Sequence, residues 1–469
     1  MASSASVIDN VYDGEAPQAL PFPTSVGVLM GISLCAHLAA VVEAFSGAML
    51  AGAVLFLIGQ FAFSLGLIRL IDGDWVFQDI RLVFVLFYFL YGCTYPLVSL
   101  LLKTSPSGIT EAAFLYGTAL LGFNLVQWWH KQPWRDVSKK SLSRIRPTFV
   151  CALLMFASFA AVIANAYLSG SLTFVAFDRS QLLGLYSQSW VVSMMVVNGF
   201  MMFIFAGWPN LSWNAKWIVG VSVAAFVMFH LLLGNRRDFL PMFMFLAGIA
   251  STRARARIRL KALVIGSSIF VLFLFMGVIR LFREDPTRIL RNPVQLFATQ
   301  NEFVMPIQTL MYYVKADKPL HYGWTYISAP GLFLPRAIWP EKPRSLSLQF
   351  NNDAFGNALV PGYGYTPLTE AFINFSWVGP FIVLCLISLA LVKLVKNADV
   401  RPGLYFICFS MAVDFHRGDF SGTLYVLVVI PFAYWVMSVV SRITWAPKVV
   451  RGTWPAPPTA PVVSAPVRT

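Results

Sequence analysis

The residues best equipped for chemistry lie in the second half of the chain. Arg236 and Arg237 are adjacent, in Gly234-Asn235-Arg236-Arg237-Asp238, and Arg417 follows His416 in Asp414-Phe415-His416-Arg417. Between them stand Arg336, Lys342 and Arg344, in a segment that also holds Arg283, Arg288, Arg291, Lys315 and Lys318. A guanidinium presents a planar fork of donors, keeps its charge and grips a phosphate through two parallel hydrogen bonds. Chemistry by this set is therefore the binding of a phosphate or pyrophosphate. A carboxylate or imidazole beside it could take a proton, and Glu302, Glu370, Asp238, Asp414 and His416 are the groups available. The unperturbed pKa of a histidine suits proton transfer near neutrality and recommends His416, although Asp414, Arg417 and Asp419 could equally hold it in a structural network. Arg336 and Lys342 could likewise form a solvated cluster with Glu341. The sequence holds no C-x-x-C and no Cys/His cluster, hence no metal motif. It has no P-loop, which argues against ATP-driven transport by this chain alone. No cofactor is implied.

These residues must be positioned by membrane helices. Of 469 residues 58% are hydrophobic and 12% charged, against about a quarter charged in a soluble domain. Apolar runs of about 20 residues recur, the length a helix needs to cross roughly 30 Å of hydrocarbon. They predict spans at 25–45, 47–70, 80–102, 111–129, 148–168, 190–208, 217–234, 239–251, 262–280, 378–395, 403–415 and 421–441. The expected fold is all-α and polytopic, with about twelve transmembrane helices. Cys35, Cys93, Cys151, Cys385 and Cys408 all fall inside these spans and read as core filling. The first span has no basic region or small-residue cleavage site ahead of it and does not read as a signal peptide.

Basic residues orient the bundle. Lys131, Arg135, Lys139, Lys140, Arg144 and Arg146 fall in one short loop, and Arg253, Arg255, Arg257, Arg259 and Lys261 in another. Lys393, Lys396 and Arg401 follow the tenth span, and Arg442, Lys448 and Arg451 the last. All four clusters lie on one side of a twelve-span map, the cytoplasmic side by the bias of short basic loops. The net charge of +14 is thereby accounted for without a nucleic-acid partner. The expected organisation is a disordered cytoplasmic N-terminus over 1–24, nine spans over 25–280, an extracytoplasmic loop over 281–377, three spans over 378–445 and a flexible cytoplasmic tail over 446–469.

The loop is too apolar to be disordered. Phe303, Met305, Ile307, Leu310, Met311, Tyr312, Tyr313 and Val314 are spaced like one face of a helix, a scaffold lying on the bilayer or packing on the spans. The spans 239–251 and 403–415 are short, roughly 20 Å of helix each. Anchored at the cytoplasmic side, they would sink Arg236, Arg237, His416 and Arg417 into a cavity at outer-leaflet depth, where ionisable residues are costly and usually functional. A lipid-linked pyrophosphate carries its charge at that depth and its tail among the helices. Anchoring to phospholipid headgroups would explain Arg283, Arg288 and Arg291 as well, but a buried arginine pair less well.

The chain resembles the bacterial O-antigen and exopolysaccharide repeat-unit polymerases of the Wzy type. The resemblance rests on Gly234-Asn235-Arg236-Arg237-Asp238, on Gly323-Trp324-Thr325-Tyr326, and on Leu334-Pro335-Arg336-Ala337-Ile338-Trp339-Pro340-Glu341-Lys342-Pro343. It continues in Thr366-Pro367-Leu368-Thr369-Glu370-Ala371-Phe372-Ile373-Asn374-Phe375. It implies a GT-C-like multi-span fold and a metal-independent glycosyltransferase at the outer face of the inner membrane. Such an enzyme moves a growing glycan from polyprenyl pyrophosphate onto a second lipid-linked repeat unit. A chain-length regulator and a flippase are its expected partners, beside donor, acceptor and bilayer. Preorganised cations would steady the leaving pyrophosphate, and Arg236, Arg237, Arg336 and Arg417 are the candidates, followed by Lys342 and Arg344. Glu370, in the stretch that carries the resemblance, is the first candidate for the base and His416 the second. Trp324, Tyr326, Trp339, Tyr363 and Tyr365 could stack on sugars or pack the loop.

Two other functions compete. A ligase would use the same donor and another acceptor, and a flippase for lipid-linked oligosaccharide would carry polar residues through the depth of the bundle. Here the candidates concentrate at one face.

Overall fold

Apolar stretches of this length can satisfy their backbone in a membrane only as helices, and those among the described residues are helical. The computed structural model describes residues 24–73, 75–134, 137, 139–168, 188–232, 240–254, 303–316, 318–334, 338–343, 345–356 and 364–445. Among them there is no strand. Four long helices come first: α1 Thr24–Phe45, α2 Met49–Asp72, α3 Ile80–Leu101 and α4 Ile109–His130. Then follow α5 Phe149–Leu168, α6 Gln188–Ala206, α7 Trp213–Leu232 and α8 Leu240–Ala254. The predicted span at 262–280, both chain termini and Arg283, Arg288, Arg291 and Glu302 lie outside the described residues.

The segment expected to form a loop contributes α9 Met305–Lys315, α10 Trp324–Ser328, α11 Leu346–Phe355 and α12 Pro367–Phe375. The bundle closes with α13 Gly379–Lys396, α14 Pro402–Ser410 and α15 Phe420–Thr444. Among the described residues six helical lengths are long and apolar enough to cross a membrane, namely α1, α2, α3, α4, Pro367–Lys396 and α15, and shorter apolar helices accompany them.

One end of the bundle is basic. There Arg81 is buried with Asp72 at 2.8 Å and Asp79 at 2.9 Å, and its Nη1 donates to the carbonyl of Gln132 at 2.6 Å. Asp79 also caps α3, its side chain accepting from the Arg81 amide. Tyr405 joins α14 to this knot, accepting from the Ile80 amide and donating to the Gln78 carbonyl. Ser141 donates to Asp399, Thr148 meets Thr444, and Ser441 donates to the Arg146 carbonyl. Three of the four basic clusters thus meet at one end.

The far end carries α9 to α12. The apolar stripe of the sequence is α9, with Ile307, Leu310, Met311 and Tyr313 buried against α4 and α12. Lys315 pairs with Glu111 of α4 and fixes its end. The tenth span begins earlier than its hydropathy suggested. α12 and α13 form one apolar length of 30 residues, broken where Ser376 adopts φ 56°. The break brings the α12 backbone onto α13 so closely that a Cβ on Gly379 would lie 2.1 Å from the Ala371 carbonyl oxygen. A glycine is required there.

Candidate active site

α12 is short and almost wholly buried. Pro367 opens it, and Thr366 caps it, the Thr366 hydroxyl accepting from the Thr369 amide at 2.9 Å. Glu370 and Asn374 stand four residues apart, which puts them on one face, and both are fully buried.

Asn374 organises what surrounds Glu370. Its Oδ1 accepts from the Gly323 amide at 2.9 Å, holding a turn in which Tyr322 and Gly323 have φ of 48° and 86°. That turn delivers Thr325 on the first turn of α10. Asn374 Nδ2 donates to Thr325 Oγ1 at 2.7 Å and to the Glu370 carbonyl at 2.8 Å. Because the amide nitrogen can only donate, the single hydroxyl proton of Thr325 is left for Glu370 Oε1, 2.7 Å away. The other carboxylate oxygen, Oε2, accepts from the Phe420 amide, the first N–H of α15. Such an N–H has no partner within its own helix, and a helix N-terminus favours negative charge.

Both oxygens of Glu370 therefore accept a hydrogen bond. An ionised carboxylate has about four lone-pair positions, so this arrangement uses half and leaves Glu370 able to accept a proton. Among the described residues no cation is paired with it. Asp419 lies beside Phe420 and does a different job: Oδ1 accepts from the Gly422 amide and caps α15, and Oδ2 accepts from the Leu346 amide of α11.

Of the sequence-predicted cations, Arg417 and Lys342 are described. Arg417 is half-buried and packs on Gly364, where a Cβ would meet its Cγ at 2.9 Å. It thus touches the strand of chain that leads into α12. Lys342 is buried, its Nζ donating to the Leu334 carbonyl at 3.1 Å. Its neighbour Trp339 lies on Gly331, in the 3-10 turn Ala329–Phe333 that packs against α15. Arg236, Arg237, Arg336 and Arg344 lie outside the described residues, as do Asp238 and Tyr363.

His416 sits deeper. α14 has nine residues, roughly 14 Å of helix, and the chain leaves it through the 3-10 turn Asp414–Arg417. His416 Nε2 donates to the Phe84 carbonyl at 3.1 Å. Phe84 lies between Arg81, which reaches Gln127, and Tyr88, which donates to the Tyr116 carbonyl. That places His416 level with the middle of α4, enclosed by the rings of Phe84, Tyr88 and Tyr91.

The aromatics divide. Tyr365 is fully buried beside Tyr313, and the Tyr326 ring packs between Phe375 and Phe420. Trp324 is more than half exposed. Thr325 and Asn374 were not singled out in the sequence as functional, although both lie in the stretches that carry the family resemblance. The spacing of Glu370 and Asn374 on one helical face was the available signal.

Long apolar helices with a buried, hydrogen-bonded carboxylate at one end define a polytopic membrane protein with an enclosed polar site. A family model, O-antigen polysaccharide polymerase Wzy, matches residues 45–444, and the chain belongs to that family, with a polymerase role in polysaccharide synthesis. No curated protein and no solved structure matches the chain.

Proposed function

We propose that the protein joins polyprenyl-pyrophosphate-linked oligosaccharide repeat units into O-antigen or exopolysaccharide at the outer face of the bacterial inner membrane. The basic end faces the cytoplasm together with both termini, and the Glu370 end faces outward. The observation that carries the mechanism is the Glu370 carboxylate, which accepts one hydrogen bond from Thr325 and one from the Phe420 amide and keeps lone pairs to take a proton.

In the reaction, a hydroxyl oxygen of the acceptor repeat unit attacks the anomeric carbon of the donor glycan. The bond from that carbon to the pyrophosphate oxygen breaks, and polyprenyl pyrophosphate leaves with the bonding electrons. The acceptor proton passes to Glu370. Arg417 and Lys342, with Arg236, Arg237, Arg336 and Arg344, hold the pyrophosphate, whose charge grows as the bond breaks; cations set in advance favour that state over the ground state. The donor carries its own leaving group, so neither nucleotide nor metal is required. A chain-length regulator and a flippase are the partners this reaction calls for.

The test uses purified protein and the lipid-linked repeat units that accumulate in cells lacking it, in chelator and without nucleotide. A ladder of products on a gel is expected. Absence of a ladder, or one that requires nucleotide or metal, overturns the reading.

A further inference from the structure

The hydroxyl of Tyr326 is buried and has no hydrogen-bond partner among the described residues. Its neighbours explain why it cannot turn away to find one. The ring is stacked on Phe375, with centroids 6.1 Å apart and planes 7° from parallel, and meets Phe420 edge-on at 5.2 Å. Phe375 ends the helix that carries Glu370, and Phe420 is the residue whose amide holds Glu370 Oε2. Thr325, the residue before Tyr326, holds Oε1. Tyr326 is therefore packed among the residues that hold Glu370, and both hydrogen bonds found on that carboxylate come from other groups. Burial first, and then the nearby charge of Glu370, push the Tyr326 phenol well above its ordinary range, so it keeps its proton at any physiological pH.

An orphaned hydroxyl in a protein interior is a cost that a bound partner can remove. What the site offers is one acceptor, Glu370, and one donor, Tyr326, held by shared neighbours: Thr325 and Phe420 bond the carboxylate, and the Tyr326 ring packs on Phe420. That pair complements a sugar, whose adjacent oxygens can give a proton at one position and accept a hydrogen bond at the next. A phosphate would be repelled by the carboxylate and is not the ligand of this corner.

We propose that the Tyr326 hydroxyl donates to an oxygen of the same sugar that presents its reacting hydroxyl to Glu370, making Glu370 and Tyr326 the acceptor subsite. This rests on the reading of Glu370 as the group that takes the acceptor proton. Tyr326 in this role positions substrate through direct contact, and its ring is structural rather than a stacking platform.

Tyr326→Phe tests it, because the ring and its packing are kept and only the hydroxyl is lost. The probe is the free repeat-unit oligosaccharide, released from pyrophosphate by mild acid. It has no leaving group and so competes as an acceptor analogue. In Tyr326→Phe its half-inhibiting concentration should rise about three- to tenfold, the worth of one neutral hydrogen bond. The melting temperature should hold or rise, since an unpaired buried hydroxyl has been removed. Wild-type competition in Tyr326→Phe, with Glu370→Gln slow, overturns the subsite alone. A clear fall in melting temperature also overturns it, by showing that the hydroxyl has a partner within the protein. Glu370→Gln turning over at the wild-type rate removes the base, and the subsite with it.

Discussion

Thr325 and Glu370 are 45 residues apart in the chain, and the hydroxyl of one lies 2.7 Å from the carboxylate of the other. The carboxylate accepts, and a third residue leaves the hydroxyl proton free for it: Asn374 donates to Thr325 Oγ1 and takes only a lone pair.

Thr325→Val keeps the shape and removes the donor. A hydrogen bond to a charged group is worth about 1.5–3 kcal/mol, so kcat should fall roughly 10- to 100-fold, with the KM for lipid-linked donor little changed. Thr325→Ser should recover most of the rate. Steady-state kinetics on the purified protein decide it, and an unchanged kcat in the valine variant would mean that Thr325 merely packs.

Glu370→Gln should slow turnover by roughly 10²–10⁴-fold, the usual value of general base catalysis, while donor binding persists. The glutamine can still accept from one of its two present donors, so the fold should survive. Single-turnover rates against donor binding separate the two effects, and loss of both together would make Glu370 a structural residue.

His416 offers a contrast. Its Nε2 proton is engaged by the Phe84 carbonyl, and removing the ring leaves that carbonyl and a cavity among Phe84, Tyr88 and Tyr91. His416→Ala should therefore lower the melting temperature, and His416→Gln, which can still donate, should restore much of it. If His416 instead takes the acceptor proton, the glutamine variant will fold normally and fail in turnover.

Gly379→Ala introduces a methyl 2.1 Å from the Ala371 carbonyl oxygen. Backbone must shift on α12 or α13, at a cost of about 1–3 kcal/mol. A lowered melting temperature is expected, with activity falling too because Glu370 stands on the displaced helix. An alanine variant as stable and active as the wild type would show that the two helices can part without consequence.

Ile338 and Val400 are both well exposed and lie toward opposite ends of the bundle. In a cysteine-free background, Ile338→Cys should react with a membrane-impermeant maleimide in intact cells stripped of outer membrane. Val400→Cys should react only after lysis. The reverse pattern would turn the bundle over and remove the outward-facing site.

Much of the helical framework was legible in the sequence. A run of apolar residues long enough to span hydrocarbon can hardly do anything else, so α1 to α4 and α15 match their predicted spans closely. The start of the tenth span was not legible, because Pro367–Phe375 contains Glu370, Thr369 and Asn374, which hydropathy reads as loop. These residues are buried because their partners, Thr325, Gly323 and Phe420, are supplied from distant parts of the chain, and no local pattern announces them. Glu370 itself was found through its residue type and the resemblance of its surroundings. Thr325 looks like any hydroxyl residue until Asn374 is seen to orient it.

Asp419 and Phe420, neighbours in the chain, have one attachment each. Asp419 is tied to the Leu346 amide at the head of α11, and the Phe420 amide to Glu370. Two successive residues, one by its side chain and one by its amide, thus link an outlying helix to the buried carboxylate. The position of α11 and the aim of the Glu370 carboxylate are thereby joined through two hydrogen bonds.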